Sequence, residues 1–145
     1  MHIIQAHIEH LEDLTPLFNA YRVFYKQESD LISAKSFLKA RIQNNESIIY
    51  LAYINDEAVG FTQLYPLFSS VSMKPLYLLN DLYVKSSHRN QGIGEALINK
   101  AKLLCEIQNN KGLALQTGTD NPAQKLYERL GFVKDHDLYY YWTRQ

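Results

Sequence analysis

The feature that most constrains this chain is a junction near its middle, where an extended apolar run ends at Val84, glycines turn the backbone, and an amphipathic helix begins. The turn reads Arg89-Asn90-Gln91-Gly92-Ile93-Gly94-Glu95. In the helix that follows, Ile93, Ala96, Leu97, Ala101, Leu104 and Cys105 recur at spacings of three and four and so share one stripe. The first N–H groups of a helix lack intrahelical acceptors, and the macrodipole adds partial positive charge there. Glycine lets a ligand come close to the backbone. A strand, a glycine turn and a helix in this order can cradle a diphosphate without a metal. The same residues also read as a plain strand-to-helix connection, and the motif alone does not separate the two.

The rest of the chain reads as alternating strands and helices. Residues 2–6 form a short strand, and residues 10–25 a helix carrying Leu11, Leu14, Leu17, Phe18 and Tyr21 at helical spacing. Ser33 is placed to cap a second helix containing Phe37, Leu38 and Ile42. Two apolar runs, 48–54 and 58–65, flank Asn55-Asp56-Glu57 and predict an antiparallel hairpin. A polar loop over 69–75 leads into a strand over 76–84, which feeds the glycine turn. After the helix, Asn109-Asn110-Lys111-Gly112 breaks the pattern and 113–117 reads as a strand. Strand, crossover helix and strand imply a parallel pair. Asn121 is then a good cap, Pro122 suits a first helical turn, and Gly131 supplies a stop. The terminal runs Phe132-Val133 and 138–142 read as strands around an Asp135-His136-Asp137 turn.

The segment Asn121-Pro122-Ala123-Gln124-Lys125-Leu126-Tyr127-Glu128-Arg129-Leu130-Gly131-Phe132, taken with the glycine turn, resembles the GNAT superfamily of N-acetyltransferases. The resemblance implies an α/β fold with a central mixed, mostly antiparallel sheet, a splayed parallel strand pair and helices on both faces, over one domain spanning 1–145. It implies that Arg89, Asn90, Gln91, Gly92, Ile93, Gly94 and Glu95 hold the pyrophosphate of acetyl-CoA, the cosubstrate. Main-chain groups near Leu82, Tyr83 and Val84 would bond pantetheine, with Asn121, Ala123 and Tyr127 toward the thioester end. Tyr127 matches the family tyrosine that donates to the departing sulfur. A phenol near pKa 10 facing a thiol near 8.5 makes full proton transfer uphill by about 2 kcal/mol, so a hydrogen bond to developing thiolate is the better description.

An alkyl ammonium is only about 0.04 per cent neutral at pH 7, a deficit of about 4.6 kcal/mol, so a base or desolvation must help the acceptor amine lose its proton. Several branches of the family carry carboxylates at the position of Asn80-Asp81, where here only the second is acidic. Asp81 therefore reads as base, as recogniser of a cationic acceptor, or as a bond to neighbouring backbone. Ideal strand alternation sends Asn80 and Asp81 to opposite faces. Tyr21, Phe24, Tyr25 and the loop 68–73 correspond to the region that lines the acceptor pocket in the family. His88 reads as exposed rather than catalytic.

Fifteen basic and fifteen acidic residues leave a formal charge of zero, which gives no field for a nucleic-acid backbone or for nonspecific membrane attachment. The expected partner is a small-molecule amine, with protein or peptide amines, or a silent acyl-CoA-binding module, as alternatives. No His or Cys spacing suits a metal. The single Cys105 lies on the apolar stripe, which predicts a buried inert thiol and fits a cytoplasmic setting. The aromatic run Tyr139-Tyr140-Tyr141-Trp142 exposes an aromatic on one face unless covered, which suggests a pocket lining, the seam of a homodimer, or a monomer with packing on both faces.

Overall fold

The computed structural model describes residues 1–145. Five strands form one sheet in the order β1-β2-β3-β4-β5: β1 (His2–Gln5), β2 (Ile48–Ile54), β3 (Glu57–Ser69), β4 (Lys74–Val84) and β5 (Leu113–Ala114). The first three pairings are antiparallel and the β4–β5 pairing is parallel. Helices α1 (Leu11–Phe24) and α2 (Leu31–Gln43) cover one face, while α3 (Ile93–Ile107) and the short α4 (Gln124–Arg129) lie on the other.

Alternation along β2 explains why the sheet is covered twice. Ile49, Leu51 and Tyr53 join Leu14, Leu17, Phe18 and Leu38 in one core, whereas Tyr50 and Ala52 join Leu97, Ile98 and Ala101 in the other. Asn55 and Asp56 both adopt positive φ (49° and 65°), the two-residue geometry that suits a tight hairpin. That hairpin agrees with the sequence.

Several local expectations change. Helix α2 is capped by Asp30, whose Oδ1 accepts from the Ser33 N–H at 3.0 Å, so the helix begins before Ser33. The polar segment 69–75 is a tighter turn than expected: Ser69 pairs with Lys74 and Phe68 with Pro75, leaving 70–73 as the turn. Phe68, Val71 and Met73 are exposed on that hairpin end, outside the lining of the cleft beside the glycine turn. β5 is two residues long rather than five, and residues 132–145 form no strand. The alternating aromatics over 138–142 have strand propensity, but no neighbouring strand offers them a ladder here.

β3 and β4 make an unusually close approach at Gly60. A Cβ there would sit 2.9 Å from the Tyr83 carbonyl oxygen and 3.3 Å from the Ile93 and Val84 side chains. Gly60 thus lets the start of α3 settle onto the sheet beside the glycine turn. We expect Gly60→Ala to lower folding stability by about 1–3 kcal/mol through overpacking against backbone, read as a lower urea midpoint with the slope unchanged.

Candidate active site

The site is built around a bulge. Gln63 pairs with Asp81 and Leu64 with Leu79, so Asn80 is an extra residue in β4. Before the bulge, Tyr77 and Leu78 pair with Leu113 and Ala114; beyond it, β4 runs on to Val84 with no strand on that side. The Lys85 N–H donates to the Val59 carbonyl at 2.8 Å, and ladder alternation then aims the main-chain groups of Leu82 and Val84 into the gap and those of Tyr83 at β3. The Val84 carbonyl does face the open side, because it accepts from Arg89 Nε at 3.0 Å.

A cleft of about 570 Å³ opens along this unpaired edge. One end is the glycine turn, where Asn90 and Gly92 hold positive φ (61° and 81°) and Gly92 caps α3. Nothing lies within 4 Å of a Cβ built on Gly92, so that face of the turn is open. Glu95 brings a carboxylate into the first turn of α3, but Arg129 meets it at 2.9 Å, and Lys125 lines the same end. The far end holds Tyr127 and Tyr25.

Tyr127 is positioned by the end of its own helix. The Phe132 N–H donates to the Tyr127 carbonyl at 3.0 Å and the Gly131 N–H to the Glu128 carbonyl at 3.1 Å, with Gly131 at φ 92°. This is the paired bonding of a Schellman stop, completed by edge-on contact of the Tyr127 and Phe132 rings at 5.9 Å. Asn121 does not cap the same helix as expected: α4 starts at Gln124 with Ala123 as its cap, and the Asn121 Oδ1 accepts from the Ala123 N–H at 2.9 Å in the turn that leads into it. Burial, with Tyr25 as a smaller contributor, raises the Tyr127 phenol above its ordinary value. The hydroxyl is therefore protonated at neutral pH and serves as a donor.

The cleft gathers Leu82, Tyr83, Val84, Arg89, Asn90, Gly92, Ile93, Gly94, Glu95, Asn121, Ala123, Tyr127 and Tyr25 from the residues singled out in the sequence. Gln91 is exposed outside its lining. Arg89 sits differently from a simple phosphate ligand: its guanidinium lies 5.6 Å from each of the Phe24 and Tyr83 ring centres while Nε holds the Val84 carbonyl. His88 is half-buried and lines the cleft instead of standing exposed, with its Nδ1 2.8 Å from Ser87 Oγ. Its position on a three-residue helical turn between β4 and the glycines was not visible in the local sequence.

Asp81 is the largest departure from expectation. It is 2 per cent exposed, and both carboxylate oxygens are taken: Gln63 Nε2 donates to Oδ2 and Asn80 Nδ2 to Oδ1, each at 2.7 Å. Ser47 Oγ donates in turn to Gln63 Oε1 at 2.8 Å. The bulge is what lets Asn80 reach its neighbour, against ideal alternation. No salt bridge reaches Asp81, and it lies outside the cleft lining. Tyr21 bridges the two regions, donating from its hydroxyl to the Asn80 carbonyl at 3.2 Å and standing edge-on to Tyr25 at 5.0 Å. Burial, then the Asp81 charge, raises the Tyr21 phenol; the same causes push Tyr65, unremarked in the sequence, up to about 12.

Comparison with known proteins agrees with this geometry. Residues 45–134 match the model of the acetyltransferase (GNAT) domain. An uncharacterized N-acetyltransferase of Bacillus subtilis, YhfO, is 48% identical over 142 residues, covering 97% of this chain and 95% of its own. The chain belongs to the GNAT family. A probable acetyltransferase of Haemophilus influenzae is 32% identical, covering 88% of this chain and 97% of its own. A crystal structure of a probable acetyltransferase superposes with a TM-score of 0.93 at 40% identity, covering 100% of this chain and 98% of that one. The protein is accordingly an acetyl-CoA-dependent N-acetyltransferase. Its cleft fits such a cosubstrate on structural grounds: an open glycine turn with flanking cations for a diphosphate, and main-chain groups along β4 that no neighbouring strand takes.

Burial raises the pKa of Asp81, opposed by the two amide donors. A carboxyl whose folded pKa lies above its unfolded value contributes stability at low pH that is lost as pH rises through the folded pKa. In Asp81→Asn, Gln63 can turn its amide end for end because Ser47 both donates and accepts. We expect the melting temperature of Asp81→Asn to gain on wild type as pH rises from about 4 to 7, in parallel thermal melts.

Proposed function

We propose that this acetyltransferase, a single domain over 1–145, moves the acetyl group of acetyl-CoA directly to a primary amine of a small molecule within a ternary complex. The observation that carries the reading is that Tyr127, the glycine turn and the unpaired edge of β4 line one cleft. The cosubstrate, when bound, supplies an activated thioester. The residues that would hold it are Gly92, Ile93, Gly94, Lys125 and Arg129 at the diphosphate end, the main chain of Leu82 and Val84 along the middle, and Asn121, Ala123 and Tyr127 at the acyl end.

Tyr127 acts as hydrogen-bond donor to the leaving sulfur, a role its raised pKa suits because the proton stays on the phenol throughout the neutral range. Tyr21, Tyr25 and Asn80 face the acceptor. Asp81, enclosed by amides, works through Asn80: it fixes the Asn80 carboxamide by accepting from Nδ2, leaving Oδ1 to receive an acceptor N–H. The acceptor is read as a small amine rather than a peptide, with Phe24 and Tyr25, at the end of α1, lining the same cleft as Tyr127.

Tyr127→Phe should lower turnover by more than tenfold while changing the acetyl-CoA dissociation constant less than about twofold, measured by thiol release and calorimetry. Equal turnover in the two proteins would remove Tyr127 from the reaction. A panel of small amines and short peptides, assayed for thiol release with wild type, tests the acceptor class. Faster reaction with peptide N-termini would overturn the small-molecule reading, and binding without thiol release from any acceptor would make the protein a silent module.

A further inference from the structure

Glu95 is the one acidic side chain in a cleft that has to receive a diphosphate. Among the 19 residues of the lining, Arg89, Lys125 and Arg129 are cations and Glu95 alone is an anion. Its backbone belongs to the first turn of α3, so the carboxylate stands beside the same unpaired N–H groups that an incoming anion would use. Of the five ion pairs in the molecule, only Arg129–Glu95 has both partners in the cleft, with Arg129 Nη1 2.9 Å from Glu95 Oε2.

Two roles for that pair make opposite predictions. As a brace it would tie the last turn of α4 to the first turn of α3, and loss of Glu95 would weaken cosubstrate binding or leave it unchanged. As a stand-in for the ligand it occupies a cation that the diphosphate needs, and loss of Glu95 would tighten binding. Exposure favours the second role. The Arg129 side chain is 60 per cent exposed and that of Glu95 37 per cent, so water competes at both partners and the pair holds the fold together only weakly. A contact this weak is readily exchanged for a stronger anion. The other cations differ: Arg89 is committed to the Val84 carbonyl and lies against Phe24 and Tyr83, and Lys125 meets no carboxylate. Arg129 is the cation in the cleft whose availability depends on a competing carboxylate.

We propose that Glu95 is an internal competitor for the diphosphate: it holds Arg129 in the empty cleft, yields it when the cosubstrate enters, and takes it back as coenzyme A departs. The inference rests on the reading that the diphosphate seats at the glycine-turn end. Acetyl-CoA and coenzyme A carry the same diphosphate, so the competition weakens substrate and product alike. Affinity for the cosubstrate is lower than the cations alone would give, and the spent coenzyme leaves faster. Product release is the slow step in many enzymes, which makes such a competitor useful.

Calorimetry on the full chain with acetyl-CoA and with coenzyme A reads the competition directly. Removing one competing charge at a partly exposed site is worth about three- to tenfold, so Glu95→Gln should bind both molecules more tightly than wild type by that factor. Coenzyme A should also inhibit the variant more strongly. Arg129→Gln should bind both more weakly, and adding Glu95→Gln to it should restore nothing. Thermal melts of the empty proteins separate this from improved folding, because Glu95→Gln removes a charge that favours the start of α3 and should not raise the melting temperature. Equal or weaker binding by Glu95→Gln overturns the inference; if wild type still takes up acetyl-CoA and Lys125→Gln takes up less, the seat of the diphosphate stands without it. A gain that persists in the Arg129→Gln background also overturns it, since Glu95 would then repel the ligand directly. No uptake of acetyl-CoA by folded wild type would remove the reading of the cleft and the inference together.

Discussion

The site depends on one extra residue. Asn80 breaks the register of β3 and β4, and from that point the two parallel strands part. A regular ladder would leave no main-chain groups free along Leu82 to Val84, because an adjacent strand would take them. The bulge is stabilised by a buried polar network: Ser47, Gln63, Asp81 and Asn80 are joined in series, and Thr62 Oγ1 donates to the Asp81 carbonyl at 2.7 Å. A buried carboxylate without a cation is tolerable only when donors meet both oxygens. Here two amides do so, and the opening of the cleft is tied to that satisfaction.

The two ends of the cleft are organised by different devices. At the glycine end the backbone itself is the binding surface, with positive φ at Asn90 and Gly92 turning N–H groups outward and cations from α4 offsetting Glu95. At the tyrosine end the binding surface is a side chain, and its direction is set by the helix stop at Gly131. Between the ends, Arg89 is drawn onto the Val84 carbonyl and between two rings, so it belongs as much to the wall of the cleft as to the turn.

Features with local causes were legible in the sequence. The hairpin at Asn55-Asp56, the amphipathic α3, the glycine turn and the bounded α4 each follow from residues within one turn or one strand pair, and all four form. The buried Cys105 followed from helical periodicity. What was not legible depends on partners distant in sequence. The enclosure of Asp81 needs Gln63, eighteen residues away, whose donor end no spacing rule would aim at it. The half-burial of His88 depends on how β4 delivers its short helical turn to the cleft, and the position of Arg89 depends on Phe24 from α1. The aromatic run over 138–142 has the composition of a strand, but strand formation requires a neighbour, which composition does not supply.

The way α4 ends carries a consequence beyond its own six residues. Because a left-handed glycine reverses the chain and lays Phe132 against Tyr127, the aim of the phenol is encoded four and five residues downstream of it, in a backbone angle and a ring that touch no reactant. A side chain at Gly131 would meet no neighbour within 4 Å, but it would strain the left-handed backbone on which that stop depends. The setting of the Tyr127 ring is thus shared with residues 131 and 132, neither of which lines the cleft.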